Sequence, residues 1–125
     1  MDLRDSPSEA AFRAQARAFL EAHGPERLAD IWSEAVSEAE LLRQHVAWQR
    51  TLHAHGWAAI TWPTAHGGRG LGPIEQIIWN SERARAGLGE SLFVVGIGMA
   101  GPTIIAHGST AQKERYLAPM LRAEE

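Results

Sequence analysis

The stretch Ser6-Pro7-Ser8-Glu9-Ala10-Ala11-Phe12-Arg13-Ala14-Gln15-Ala16-Arg17-Ala18-Phe19-Leu20 decides what kind of fold this chain makes. Ser6 is a helix-capping residue and Pro7 suits the first helical position. Glu9, three residues after Ser6, completes a capping box. Phe12, Ala16, Phe19 and Leu20 then recur at i, i+4, i+7 and i+8, one apolar stripe of a helix that Gly24 and Pro25 stop. From Pro25 to Val36 only Leu28, Ile31 and Trp32 are large and apolar, which predicts a short helix or an irregular packed connection.

The same grammar recurs downstream. Ser37 with Glu40 predicts a second capping box and a long helix running to Gly56. Leu41, Trp48 and Leu52 hold its inner face, with Leu42 and Val46 widening it, while Arg43, Gln44, Gln49 and Arg50 look outward. Pro73 predicts the start of a third helix ending near Gly87, with Ile74, Ile77, Ile78 and Ser81 on one face and Glu75, Asn80 and Arg83 on the other. Residues 89–101 are almost uncharged and apolar on all sides, which predicts a buried helix. Pro102 restarts that helix through Ile104 and Ile105 to Gly108. Ser109 with Gln112 predicts another capping box, and Tyr116, Leu117, Met120 and Leu121 carry a last amphipathic helix.

Between the second and third helices, Gly56-Trp57-Ala58-Ala59-Ile60-Thr61-Trp62-Pro63 leads into Gly67-Gly68-Arg69-Gly70-Leu71-Gly72. The glycines mark a loop, but its tryptophans and isoleucine need burial, so it reads as an ordered loop with aromatic anchors. No strand alternation appears anywhere. The expected fold is therefore all-α, a bundle of about five or six antiparallel helices with one long ordered loop containing glycine and tryptophan.

A chain of 125 residues and 13.7 kDa is one domain. At this size a core needs no staples, since roughly 65–70% of the unfolded surface is buried, and 45% of the residues are hydrophobic. The net charge of −3, with both signs interspersed, argues against binding nucleic acid or an anionic membrane. The absence of cysteine excludes disulfides, thiolate metal sites and a cysteine nucleophile. No apolar run approaches the ~20 residues of a membrane span, and no greasy leader follows Met1, so a cytoplasmic protein is expected.

Candidate sites are few. The glycine cluster lacks the Gly-Lys-Ser/Thr ending and the preceding strand of a phosphate loop, and reads as a structural turn. His45, His53 and His55 do not share i, i+4 spacing, so no metal site is expected, and the histidines read as solvated or capping groups. Among Asp30, Glu75, Glu82 and Glu90, Glu82 has arginines nearby and reads as a surface or inter-helix ion-pair partner rather than a base. No catalytic residue emerges from spacing. Gly96, Gly98, Ala100 and Gly101 lie among Phe93, Val94, Val95, Ile97 and Met99. Such small residues admit either a closely packed helix or a greasy ligand, and both readings stay open.

Taken in order, these signals resemble the N-terminal helical domain of the acyl-CoA dehydrogenase family of flavoenzymes. The resemblance is carried by Gly56-Trp57, Trp62-Pro63, His66-Gly67-Gly68-Arg69-Gly70, Ser81-Glu82-Arg83-Ala84-Arg85-Ala86 and Gly101-Pro102-Thr103-Ile104-Ile105. The string Gly108-Ser109, Gln112-Lys113, Tyr116-Leu117 and Pro119 completes it. The chain departs from the family where Ser81-Glu82-Arg83 replaces a common Glu-Glu-Leu.

The resemblance implies an oxidoreductase of fatty acid metabolism that desaturates an acyl-CoA thioester between its α and β carbons. It implies that residues 1–125 are one of three parts, the others being a middle β-domain and a C-terminal helical domain that carry the catalytic glutamate and most contacts to FAD. The chain alone is then expected to be inactive and not to hold FAD. Its partners would be the acyl-CoA, the remaining domains or a partner subunit, and the copies of a homotetramer or hetero-oligomer. The family helix that lines the fatty tail matches residues 92–100, so the resemblance places Val94, Val95 and Gly98 near the acyl end with Met99 close by. Glycines at 96 and 98 would widen that pocket for a long or bulky acyl group. The alternative is a stand-alone interaction module that binds a protein through its apolar 92–105 face.

Overall fold

In the computed structural model, residues 5–26, 28–89, 93 and 96–123 are described. They form five α-helices: α1 (Pro7–His23), α2 (Glu38–Ala54), α3 (Pro73–Arg85), α4 (Gly101–His107) and α5 (Thr110–Leu121). A short 3-10 turn spans Thr64–His66, and a π-helical turn spans Gly96–Ala100 just before α4. Among the described residues there is no strand, so the fold is all-α as expected.

The helices begin where capping chemistry says they should. Ser6 accepts from the Glu9 amide while the Glu9 carboxylate takes the Ser6 N–H at 2.7 Å, and Ser109 and Gln112 repeat the arrangement at α5. At α2 only half of the expected box forms. Ser37 accepts from the Glu40 amide, but the Glu40 carboxylate turns to Arg43 and the Gln44 amide instead, which satisfy an ionised acceptor better than one backbone N–H. These bonds hold the Glu40 carboxyl down at about 2, with Arg43 the larger cause. The connection from Pro25 to α2 is irregular and turn-rich among its described residues, and Trp32 on it is 84% exposed.

Two hydrophobic clusters share the loop after α2. The larger joins Phe12, Ala16, Phe19 and Leu20 of α1 to Trp48 and Leu52 of α2, Ile78 and Trp79 of α3, and Leu88. The smaller joins Leu117 and Leu121 of α5 to Ala59 and Trp62. The loop serves both by alternation: Trp57 and Ile60 enter the first cluster, Ala59 and Trp62 the second. Its backbone is held locally, with the Gly70 amide donating to Trp62 O at 2.9 Å and the Leu71 amide to Ile60 O at 3.0 Å. Arg69 lies over the Trp57 ring at 4.7 Å, a cation–π contact that caps the aromatic cluster.

Gly68 packs so closely on Trp62 that a Cβ there would collide with the Trp62 carbonyl. Gly68→Ala is therefore expected to destabilise the domain by about 1–3 kcal/mol, because the loop must shift to admit one methyl. A urea midpoint unchanged from wild type would show that the loop moves freely.

Several facings differ from the sequence expectation. On α3 the buried positions are Ile78, Trp79 and Glu82, while Ile74 and Ile77 are 49% and 62% exposed. The helix turns Trp79 inward because its ring stacks on Trp57 at 4.7 Å, and turns Glu82 inward because α1 offers two arginines there. Gln49, expected outside, is buried because its amide donates to Leu121 O at 3.0 Å. His45, expected to be solvated, is buried with Nε2 at 2.8 Å from Ala29 O.

The buried helix expected over 89–101 is not found in its described part. There the backbone makes the π-helical turn, and Gly98 and Met99 are exposed, Met99 by 65%. Pro102 has no N–H to give Gly98 O in an α-helical ladder, and a widened turn immediately before it accommodates the ring. The Trp62 indole N–H anchors this turn by donating to Ile97 O at 3.0 Å.

Candidate functional site: an aromatic cavity beside the π-helical turn

A cavity of about 260 Å³ opens between α2, the anchored loop, α3 and the π-helical turn. Trp48, Gln49 and Leu52 contribute from α2, residues 57–62 from the loop, and Gln76, Trp79, Asn80 and Arg83 from α3. Gly89, Phe93, Ile97 and Gly98 close the remaining side. Four tryptophans and a phenylalanine give it aromatic walls that suit hydrocarbon, beside the polar side chains of Gln49, Thr61, Gln76, Asn80 and Arg83.

The polar edge follows from helical spacing. Gln76, Asn80 and Arg83 stand at i, i+4 and i+7 on α3 and therefore share a face. Gln76 Nε2 donates to Asn80 Oδ1 at 2.9 Å, and Arg83 Nη1 donates to Gly89 O at 3.1 Å, tying the helix end to the next segment. Opposite them, Gln49 has its amide orientation fixed, because Leu121 O accepts and only the NH2 group can meet it.

Of the residues singled out from the sequence, Gly98 lines this cavity. Val94 and Val95 lie outside the described residues. Met99 is exposed and is not part of the lining. Sequence reasoning missed Trp79, Gln76 and Asn80. The 76, 80, 83 spacing and the adjacency of Trp79 to Ile78 were the available signals.

Glu82 is not part of the lining of this cavity and turns toward α1. It is 2% exposed and receives Arg17 at 2.7 and 3.1 Å and Arg13 at 3.3 Å, both from α1. Arg17, then Arg13, hold its carboxyl below the usual carboxylate range against the opposing effect of burial. A carboxylate so neutralised is an ion-pair partner and a poor base.

Glu90 lies outside the described residues. Among the described residues no set of three histidine, aspartate or glutamate side chains is placed to hold a metal. His23 and His55 stack at 4.0 Å, a pairing invisible in the sequence, but stacked rings do not converge on one ion. The glycine loop does not cradle a phosphate. Its amides at 67, 68, 70 and 71 donate to carbonyls of residues 64, 63, 62 and 60, and the Gly72 N–H goes to Glu75. These five amides are therefore already committed and not open to a cofactor's phosphates. No helix among them is long and apolar enough to cross a membrane.

The described residues define the class as an all-α domain with an aromatic-lined cavity. The comparisons with known proteins make the class specific: residues 6–124 match the acyl-CoA dehydrogenase N-terminal domain, and the chain belongs to that family. It is 34% identical over 88 residues to the acyl-CoA dehydrogenase IpdE1 of Mycolicibacterium smegmatis, covering 70% of this chain and 22% of that protein. It is 36% identical over 85 residues to IpdE1 of Mycobacterium tuberculosis, covering 68% and 22%. Among solved structures it resembles the Tcur3481-Tcur3483 steroid ACAD at 28% identity with a TM-score of 0.77, covering 99% of this chain and 31% of that one. The ChsE4-ChsE5 complex from Mycobacterium tuberculosis follows at 28% identity and a TM-score of 0.71, covering 99% and 30%. The chain thus spans 22% of the length of these curated relatives.

Proposed function

We propose that this chain is the N-terminal domain of a flavin-dependent acyl-CoA dehydrogenase that desaturates an acyl-CoA thioester between its α and β carbons. In this reading the cavity beside the π-helical turn forms part of the acyl pocket, with Gly98 at its edge and Val94, Val95 and Met99 nearby. The observation that carries the reading is the cavity of about 260 Å³ with aromatic lining, bordered by Phe93, Ile97 and Gly98.

The reading assigns FAD and the catalytic base to the middle and C-terminal parts of a longer polypeptide, or to a partner subunit. The chain alone is then inactive. The apolar side chains it exposes, Ile77 and Met99 among them, become contacts with those parts. The acyl group is bulky and compact rather than a thin chain. Aromatic lining suits a fused-ring hydrocarbon, and one structural neighbour is described as a steroid ACAD.

The test is substrate profiling of the full-length enzyme. Gly98→Leu puts a branched side chain at the cavity edge, and is expected to lower kcat/KM for a fused-ring acyl-CoA by about tenfold or more while sparing a short linear one. An unchanged preference between the two would remove Gly98 from the acyl pocket.

A further inference from the structure

We infer that Gln49 is a specificity-determining residue, whose Oε1 accepts a hydrogen bond from a hydroxyl on the hydrocarbon part of the acyl group. This rests on the reading of the cavity as part of an acyl pocket. Gln49 is 2% exposed and lines the cavity among Trp48, Leu52 and Trp62. Its Nε2 is committed to Leu121 O at 3.0 Å, which fixes the amide so that Oε1 is the remaining polar atom. Among the described residues no donor reaches Oε1, and the Gln49 side chain makes no hydrogen bond other than the one to Leu121.

The oxygen keeps solvent contact without a protein donor, and on a residue that lines the cavity it is an open hydrogen-bond acceptor. A saturated hydrocarbon ring would bury that oxygen unsatisfied, whereas a ring carrying a hydroxyl would satisfy it. A ring ketone would set two acceptors against each other. The preference is therefore for a hydroxylated acyl group over both its deoxy and its keto counterparts.

The test titrates the full-length holoenzyme with decahydro-2-naphthol, 2-decalone and decalin, following the fluorescence of its tryptophans. The expected result is that decahydro-2-naphthol binds about tenfold more tightly than the other two, and that Gln49→Leu abolishes the difference. Equal binding of all three by wild type overturns the role of Gln49 while leaving the hydrocarbon cavity standing. This comparison needs no variant, so it remains decisive if Gln49→Leu fails to fold after losing its bond to α5. A preference that persists in a folded Gln49→Leu variant also overturns the inference, placing hydroxyl recognition elsewhere. Binding of none of the three overturns the acyl-pocket reading with it.

Discussion

Trp57→Ala is expected to destabilise the domain by about 3–5 kcal/mol, enough to unfold much of it at ambient temperature. The Trp57 ring stacks on Trp79 at 4.7 Å and on Phe19 at 5.4 Å, and meets Phe12 at 5.6 Å. It also carries the Arg69 guanidinium on its outer face. The substitution leaves a cavity among three helices at once, and the surrounding rings are held by backbone elements that collapse only partly. It also releases the loop, whose alternate residues Ala59 and Trp62 pin the second cluster. Urea unfolding monitored by circular dichroism checks this, since the remaining tryptophans complicate fluorescence. A loss below about 1 kcal/mol would mean that the aromatic cluster repacks around the gap, contrary to the close-packed core described above.

Glu82→Gln is expected to cost about 2 kcal/mol at neutral pH, because the buried carboxylate organises two arginines of α1 against α3. The cost stays below that of a fully buried pair, since Arg13 and Arg17 are 29% and 41% exposed and can rehydrate. The pH dependence has a definite sign. The folded carboxyl lies below its ordinary value of 4.5. Its stabilisation is therefore present above that value and is lost as the pH falls through the lower folded one. Glu40 and Asp5, also lowered, act in the same direction. Denaturation midpoints measured from pH 7 down to about pH 3 should fall steeply for wild type and less steeply for Glu82→Gln. Parallel curves would show that Glu82 does not carry the acid sensitivity.

What could be read from the sequence was mostly local. Ser6 and Ser109 announce their helices because a cap and its partner lie three residues apart, and the stripe of Phe12, Ala16, Phe19 and Leu20 needs only helical period to place it. The misread facings depend on distant partners. Gln49 is drawn inward by a carbonyl 72 residues away, and Glu82 by arginines 65 and 69 residues away. Ile74 and Ile77 are as hydrophobic as Ile78, so composition could not say that only Ile78 meets α1 and the tryptophans. Half of the box at Ser37 fails for a similar reason, since Arg43 competes for Glu40 within the helix itself.

The site followed the same division. Gly98 stands out in the sequence as a small residue in an apolar run and borders the cavity, whereas the polar edge of Gln76 and Asn80 depends on the inward turn of α3 around Trp79. Family membership was legible because its carrying residues are glycines, prolines and caps, whose backbone roles leave fixed spacings in the sequence.

The most direct measurement is an anaerobic titration of the full-length holoenzyme with a fused-ring acyl-CoA, following the absorbance of its bound flavin, beside the same titration of the 125-residue chain mixed with FAD. The expected result is stoichiometric bleaching in the full-length protein, and neither flavin retention nor bleaching with the chain alone. A full-length protein that holds FAD but is bleached by no acyl-CoA, linear or fused-ring, contradicts the assignment as an acyl-CoA dehydrogenase domain.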